Sequence, residues 1–175
     1  MPANASVKSA LKSLEDDSSK VLGLNIGEEL IKTGQFVPKA EVKSPPELSF
    51  AVPSKSATYI AIGIDLDAPT PSINFLAPIL HWIQPGFKAA QDSDALTSSD
   101  AFVANYIAPS PPPISSSHRY LFILYEQPEG FNGKDFAPPD GKPLGNTSRM
   151  RFDLDAWIKK AGLGQPIAAN YFKSN

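Results

Sequence analysis

The sequence predicts a mostly β domain with short helices near its two ends, and three observations support this fold class. Seventeen of the 18 prolines lie between Pro38 and Pro166. Because proline interrupts helices and central strands, this stretch favours short strands and loops. The same stretch contains runs of branched and aromatic residues, which are typical of strands. Apolar residues at helical spacing occur near the two ends of the chain.

The composition indicates one globular domain and excludes several functions. A chain of 175 residues that is 42% hydrophobic can bury one substantial core. The net charge of −2 leaves no basic surplus for a phosphate backbone, which disfavours nucleic-acid binding. The chain has no cysteine, which excludes disulfides, thiolate metal sites and cysteine nucleophiles. Because no secretory signal or membrane-spanning run is visible, we expect a soluble, cytoplasmic protein.

The N-terminal segment predicts a short amphipathic helix. Val7, Ala10, Leu11 and Leu14 follow the spacing i, i+3, i+4, i+7, with lysine and serine between them. We therefore divide the chain into a helical extension over residues 1–20 and a single domain over residues 21–175.

Five runs of the chain predict strands. One alternates between polar and apolar residues, three are almost continuously apolar, and the last follows a C-terminal helix. In chain order the runs cover residues 47–52, 59–65, 79–83, 119–125 and 166–172. The helix is predicted from Phe152 to Ala161, with Gly162 ending it. Unusually long loops, which often carry function, are expected at residues 67–78, 87–100 and 127–147.

Side chains that could carry chemistry lie beside the predicted strands. His81 and His118, the two histidines of the chain, each adjoin a buried run. Asp65 and Asp67 end another strand and would face the same side in an extended chain. On these residues alone, two interpretations stay open: satisfied core histidines with a solvated acidic turn, or a shared site.

Several separated motifs resemble those of the phosphatidylethanolamine-binding protein (PEBP) family. Residues 65–70 (D-L-D-A-P-T) resemble the family's D-P-D-A-P-S signature, and residues 80–83 (L-H-W-I) resemble its H-W-x-V element. Residues 106–112 (Y-I-A-P-S-P-P) resemble Y-x-G-P-x-P-P, and residues 117–128 contain a strand like its H-R-Y strand. The chain looks most like the fungal members related to yeast carboxypeptidase Y inhibitor.

The resemblance implies a PEBP-like β-sandwich with a large central antiparallel sheet, a small second sheet and peripheral short helices. It also implies a shallow cavity that binds phosphate-like anions, with a cis proline within residues 109–113. Carried over residue by residue, the cavity would be lined by Asp65, Asp67, His81, Pro111, Pro112 and His118, with Tyr120 close by.

The sequence departs from the family pattern at three places. Pro78 stands where the family usually has glutamate, three residues before His81. Serines occupy positions 115–117, where a glycine-containing stretch is usual. The chain stops soon after the last predicted strand, whereas animal members carry a further helix that covers the cavity. We therefore expect a differently shaped pocket loop and an uncovered cavity.

Three functions follow from these residues. The first is non-enzymatic, regulatory binding of a phosphate-bearing small molecule, phospholipid head group or phosphorylated protein segment. The second is inhibition of a serine carboxypeptidase through the N-terminal segment; a kinase is a further candidate partner. The third is an enzyme with a divalent metal held by the two aspartates and two histidines. Because the G-x-S-x-G, P-loop and H-E-x-x-H motifs are missing, we expect no enzyme and no cofactor. The acidic charge balance argues against strong attachment to anionic membranes, so we expect at most peripheral membrane contact.

Overall fold

Three long antiparallel strands form the centre of the fold, and they arise from the most apolar runs of the sequence. The computed structural model describes residues 4–175. Strand β4 (Tyr59–Asp65) lies between β5 (Ile79–Ala89) and β7 (His118–Glu126) and pairs with both. Every residue of β4 is buried, as a continuous apolar run predicts for a strand covered on both faces.

Five shorter strands complete an antiparallel sheet of eight. They are β1 (Gly23–Ile26), β2 (Glu29–Leu30), β3 (Glu47–Ser49), β6 (Ala95–Thr97) and β8 (Ala168–Ser174). The strand order is β2-β1-β3-β6-β5-β4-β7-β8. Residues 4–175 also contain the helices α1 (Ala5–Asp16) and α2 (Leu154–Ala161), and single 3-10 turns at Ser18–Lys20, Gly133–Asp135, Pro139–Gly141 and Asn146–Ser148.

The sheet curls at β5, so that its smaller part packs against its larger part. β5 pairs with β4 from Ile79 to Phe87, whereas Lys88 and Ala89 pair with β6. The bend lies at Pro85 and Gly86, where the register shifts and the φ angle of Gly86 is +79°. Between the two parts lies a core to which both contribute, including Leu24, Leu48, Leu96, Tyr59, Phe122 and Phe172. The predicted β-sandwich is confirmed, and its second layer is continuous with the first.

The opposite face of the central strands is covered by the two helices. Ile60, Ile62 and Ile64 alternate with the residues of the first core and point into a second one. Ala10 of α1 and Leu154 of α2 are fully buried there. The predicted apolar stripe of the N-terminal helix, Val7, Leu11 and Leu14, packs against the same core.

None of the helices in the described residues is long and apolar enough to cross a membrane.

The strand boundaries differ from the sequence predictions in the outer part of the sheet. β5 runs six residues beyond the predicted end at Ile83, because a bulge accommodates Pro85 within it. β6 lies inside the predicted loop over residues 87–100, and β3 stops three residues before Val52. Strands of three residues are too short to show the alternation of polar and apolar residues by which strands are predicted from sequence.

The prediction of a cis proline within residues 109–113 is wrong. Within residues 4–175 the cis bonds are Ala68-Pro69 and Ala77-Pro78, and neither lies in residues 109–113. At the end of this proline-rich segment, the chain turns through a hydrogen bond of 2.9 Å from Ser115 N to the carbonyl oxygen of Pro112.

The first turns of α1 and α2 cap each other. Ala5 N and Ser6 N of α1 donate to the Asp155 carboxylate at 2.6 and 2.9 Å, and Leu154 N of α2 donates to Asn4 Oδ1 at 3.2 Å. These contacts satisfy N–H groups that lack partners within their own helices. Burial alone would raise the pKa of Asp155, but the hydrogen bonds from Ser6 and Ala5 outweigh it and lower that pKa.

We expect Asp155→Ala to reduce the free energy of unfolding by about 1–2 kcal/mol, the usual effect of losing a helix cap. Amide hydrogen exchange of α1 should accelerate more than that of the central strands. Because the folded pKa of Asp155 is lowered, its contribution is present above about pH 4 and is lost as the pH falls further. Glu15→Ala, on the exposed surface of α1, is the control; equal effects in both variants would contradict the capping role.

Candidate functional site

The candidate site lies where β4 ends, β7 begins and β5 passes beside them. Antiparallel pairing sets Asp65 opposite Tyr120, which brings the end of one strand to the start of the other. A cavity of about 320 Å³ opens there. It is lined by Asp65, Ala68, Pro69, Leu76, Ile79, His81, Ile107, Ala108, Ser110, Pro111, Pro112, His118, Tyr120, Asn146, Arg149 and Met150. Six of the seven site residues predicted from the sequence are in this set, and Asp67 is not.

Asp65 and His118 form a buried pair at the inner end of the cavity. His118 Nδ1 lies 2.8 Å from Asp65 Oδ2, and the two residues are only 1% and 4% exposed. The other oxygen of this carboxylate accepts a hydrogen bond of 2.8 Å from Asp67 N. On the far side of the imidazole ring, Nε2 lies 2.9 Å from Ser115 Oγ. Both nitrogens of His118 therefore have partners within the protein.

His81 presents one nitrogen to the cavity. Its Nδ1 lies 2.7 Å from the carbonyl oxygen of Ile107, which accepts a hydrogen bond and so requires a hydrogen on that nitrogen. Burial lowers the pKa of His81, and this effect outweighs the Ile107 hydrogen bond and the nearby Asp65 carboxylate. At neutral pH the ring is therefore uncharged, and its Nε2 is a hydrogen-bond acceptor.

Tyr120 holds the two imidazole rings in place. Its ring meets His81 edge to face at 5.1 Å between centroids and lies nearly parallel to His118 at 6.4 Å. Tyr120 is buried, and burial together with the Asp65 and Asp67 carboxylates raises its pKa. The phenol is therefore neutral and contributes shape and packing.

Asp67 is directed away from the cavity. Its carboxylate accepts hydrogen bonds from Arg119 N, Nε and Nη2 at 2.9, 2.8 and 2.7 Å. Burial would raise the pKa of Asp67, but these hydrogen bonds outweigh it and lower the pKa. The spacing of the two acids predicted that they would face the same side of the strand. In the structure they have different partners: Asp65 is paired with His118, and Asp67 is paired with Arg119 at the start of β7.

Arg149 is a site residue that the sequence did not reveal. Arg149 is among the residues that line the cavity, and it is 1% exposed. It donates to the backbone oxygens of Leu144, Leu80, His81 and Asn105 and, at 2.6 Å, to Asn105 Oδ1. None of the ion pairs formed within residues 4–175 includes Arg149. The cavity therefore contains a buried positive charge that neutral dipoles solvate but no carboxylate compensates.

Two larger clefts occur elsewhere, and the candidate site is distinguished by chemistry instead of size. A cleft of about 700 Å³ beside Phe131 has exposed Lys134 and Asp140 at its rim. Another of about 690 Å³ lies beside Trp82 and Tyr106. Neither has buried ionisable groups that converge as those of the smaller cavity do. No three His, Asp or Glu side chains of residues 4–175 come together in a metal-ligating cluster.

Comparison with known proteins identifies the class. The family model described as "Phosphatidylethanolamine-binding protein" matches residues 25–172, so the chain belongs to that family. A relative named "Phomoidride biosynthesis cluster protein N", from Talaromyces stipitatus, is 31% identical over 159 residues, covering 81% of this chain and 77% of the relative.

The carboxypeptidase Y inhibitor of Saccharomyces cerevisiae is also similar. It is 27% identical over 143 residues, which cover 74% of this chain and 65% of the inhibitor. A crystal structure of carboxypeptidase Y inhibitor with its cognate proteinase superposes with a TM-score of 0.74 at 20% identity, covering 99% of this chain and 98% of that chain. The structural similarity, at 20% identity, establishes the fold.

We expect Arg149→Met to lower the free energy of unfolding by about 3 kcal/mol, because the change leaves several buried carbonyl oxygens without a hydrogen-bond donor. Arg151→Met is the matched control, since Arg151 is exposed two residues away and surface changes usually stay within about 0.5 kcal/mol. Urea denaturation of both variants measures the difference. Equal stability of the two variants would show that Arg149 does not organise the cavity wall.

Proposed function

We propose that the chain binds phosphate-bearing ligands in the cavity between His81 and His118 and acts as a regulator through binding alone. The shared chemistry is a phosphate monoester or diester, as found in a phospholipid head group or a phosphorylated protein segment. The observation that carries the proposal is Arg149, a buried cation in the cavity wall without a carboxylate partner. An anion in the cavity would supply the missing negative charge.

The size and polarity of the cavity support a small anionic group. A volume of about 320 Å³ is near the lower end of ligand pockets, which suits a head group better than a whole lipid or peptide. Proline side chains at positions 69, 111 and 112 contribute apolar surface to the lining, next to the polar groups of Asp65, His81 and His118. In these surroundings an ionic contact is stronger than at an open surface.

Binding should also change the protonation of His81. Burial holds the pKa of this ring below its ordinary value in the free protein. An adjacent anion stabilises the imidazolium, so ligand binding would be accompanied by proton uptake at Nε2, the nitrogen that is not bonded to Ile107.

We expect sulfate, whose charge is constant between pH 6 and 8, to raise the melting temperature of the protein, and more strongly at pH 6. Affinity should increase by at most about tenfold per pH unit as the pH falls, since one proton is taken up. His81→Phe should remove the pH dependence and most of the shift. Asp67→Asn lowers stability but should leave the sulfate shift intact, because Asp67 contacts Arg119 outside the cavity. A sulfate shift that is the same in His81→Phe would contradict the proposed site.

A second candidate function is inhibition of a serine carboxypeptidase by the N-terminal segment. The inhibitor relative favours it, as does the position of α1, which is fixed on the domain by its contacts with α2 and β8. Asn4 is 8% exposed and caps α2, so α1 cannot move away without breaking these contacts. An inhibitory element would therefore be the residues that precede Asn4.

Removal of residues 1–3 should abolish any inhibition of yeast carboxypeptidase Y while leaving the sulfate-induced shift in melting temperature unchanged. The truncation retains Asn4 and the apolar stripe of α1, which removal of residues 1–20 would not. Peptide hydrolysis with increasing inhibitor concentration provides the measurement. Undiminished inhibition by the shortened chain would exclude this role for the segment.

A further inference from the structure

We propose that Ser115 is a nucleophile that accepts an acyl group from an activated ester, with His118 as its general base and Asp65 as the residue that positions His118. Ser115 Oγ lies 2.9 Å from His118 Nε2, and His118 Nδ1 lies 2.8 Å from Asp65 Oδ2. A hydroxyl, an imidazole and a carboxylate in this order and at hydrogen-bond distance form the constellation that activates serine in hydrolases of unrelated folds.

The hydrogen bonds fix the required tautomer of His118. Nδ1 faces a carboxylate oxygen and therefore carries a hydrogen, which leaves the lone pair of the neutral ring on Nε2. The Ser115 hydroxyl has one hydrogen and two acceptors within reach, His118 Nε2 at 2.9 Å and the carbonyl oxygen of Ser116 at 2.8 Å. When the hydrogen points to Nε2, the lone pairs of Oγ are free to attack.

The surroundings combine a buried base with an accessible nucleophile. His118 and Asp65 are buried, whereas Ser115 is half-buried in the turn that begins at Pro112. The next residue is exposed, and within residues 4–175 no acceptor is bonded to Ser116 N. The N–H group that follows a nucleophile is a common donor to the oxyanion of acyl transfer. Ser115 is therefore partly open to solvent, while its base is buried.

The step is an acyl transfer without oxidation or reduction. Ser115 Oγ attacks the carbonyl carbon of the ester, and its proton moves to His118 Nε2, so that the imidazolium faces Asp65. The tetrahedral intermediate then collapses, the bond between the carbonyl carbon and the leaving oxygen breaks, and the proton passes from Nε2 to that oxygen. The products are an ester on Ser115 and a free alcohol or phenol.

This proposal is independent of anion binding. The sulfate response requires His81 and does not use the Ser115 hydroxyl, whereas acylation requires Ser115 and not His81. Either can therefore fail while the other holds.

The first test treats the full chain with p-nitrophenyl acetate at neutral pH. We expect a burst of one p-nitrophenolate per chain and, by mass spectrometry of peptides, one acetyl group on Ser115. Ser115→Ala should abolish the burst, and Ser117→Ala, whose hydroxyl makes no contact with His118, should retain it. Absence of a burst, or acetylation at other residues that persists in Ser115→Ala, would overturn the proposal.

A second test measures activation without relying on acyl turnover. Since the chain has no cysteine, Ser115→Cys introduces one thiol, and Ser117→Cys provides a matched control. Iodoacetamide should alkylate the thiol at position 115 at least about tenfold faster at neutral pH, because an adjacent imidazole favours the thiolate. Adding Asp65→Asn to Ser115→Cys should reduce this advantage, and Asp65→Glu should restore part of it. Equal alkylation rates at the two positions in folded variants would refute activation by His118.

Discussion

The pairing of β4 with β7 is the constraint on which the rest of the structure depends. Its register sets Asp65 opposite Tyr120 in the middle layer of the molecule, with both faces of the two strands covered by core. Because the strands are antiparallel, the carboxylates of Asp65 at the end of β4 and of Asp67 just after it meet the histidine and arginine that begin β7. A slip of one residue would turn His118 into the opposite core and separate it from Asp65. The apolar alternation that stabilises the sheet thus also fixes the polar contacts at its end.

Burial makes each of these polar contacts consequential. Asp65, Asp67, His118 and Arg149 are all less than 5% exposed, and an unsolvated charge at such positions is costly. The molecule meets this cost in two ways. The two carboxylates are paired with His118 and Arg119, whereas the guanidinium of Arg149 is surrounded by carbonyl dipoles. The second arrangement satisfies hydrogen bonds without cancelling charge. Burial is the main cause of the lowered pKa of His81, and the nearby positive charge of Arg149 acts in the same direction.

The sequence was informative where one physical signal dominated. The central strand 59–65, the helix over 152–161 and the stripe of Val7, Leu11 and Leu14 could be predicted because burial imposes a period on many residues. The motifs around His81 and His118 pointed to the cavity in a different way, through their resemblance to the PEBP family. Arg149 and the separate orientation of Asp67 could not be predicted, since both depend on which distant groups the curled sheet brings near. In the sequence, Ser115 stood out only because serines occupy positions 115–117, where the family usually has a glycine-containing stretch. Its contact with His118 depends on the turn formed by residues 112–115.

The mutual capping of α1 and α2 has a consequence for biosynthesis. α1 is translated before the sheet on which it packs, and the carboxylate that caps it lies 150 residues further along the chain. β8, the strand against which α1 also packs, follows all the other strands and both helices of the described fold in sequence. During translation the apolar stripe of α1 therefore has no native partner until β8 has emerged, so α1 reaches its final position late although it is made before the strands.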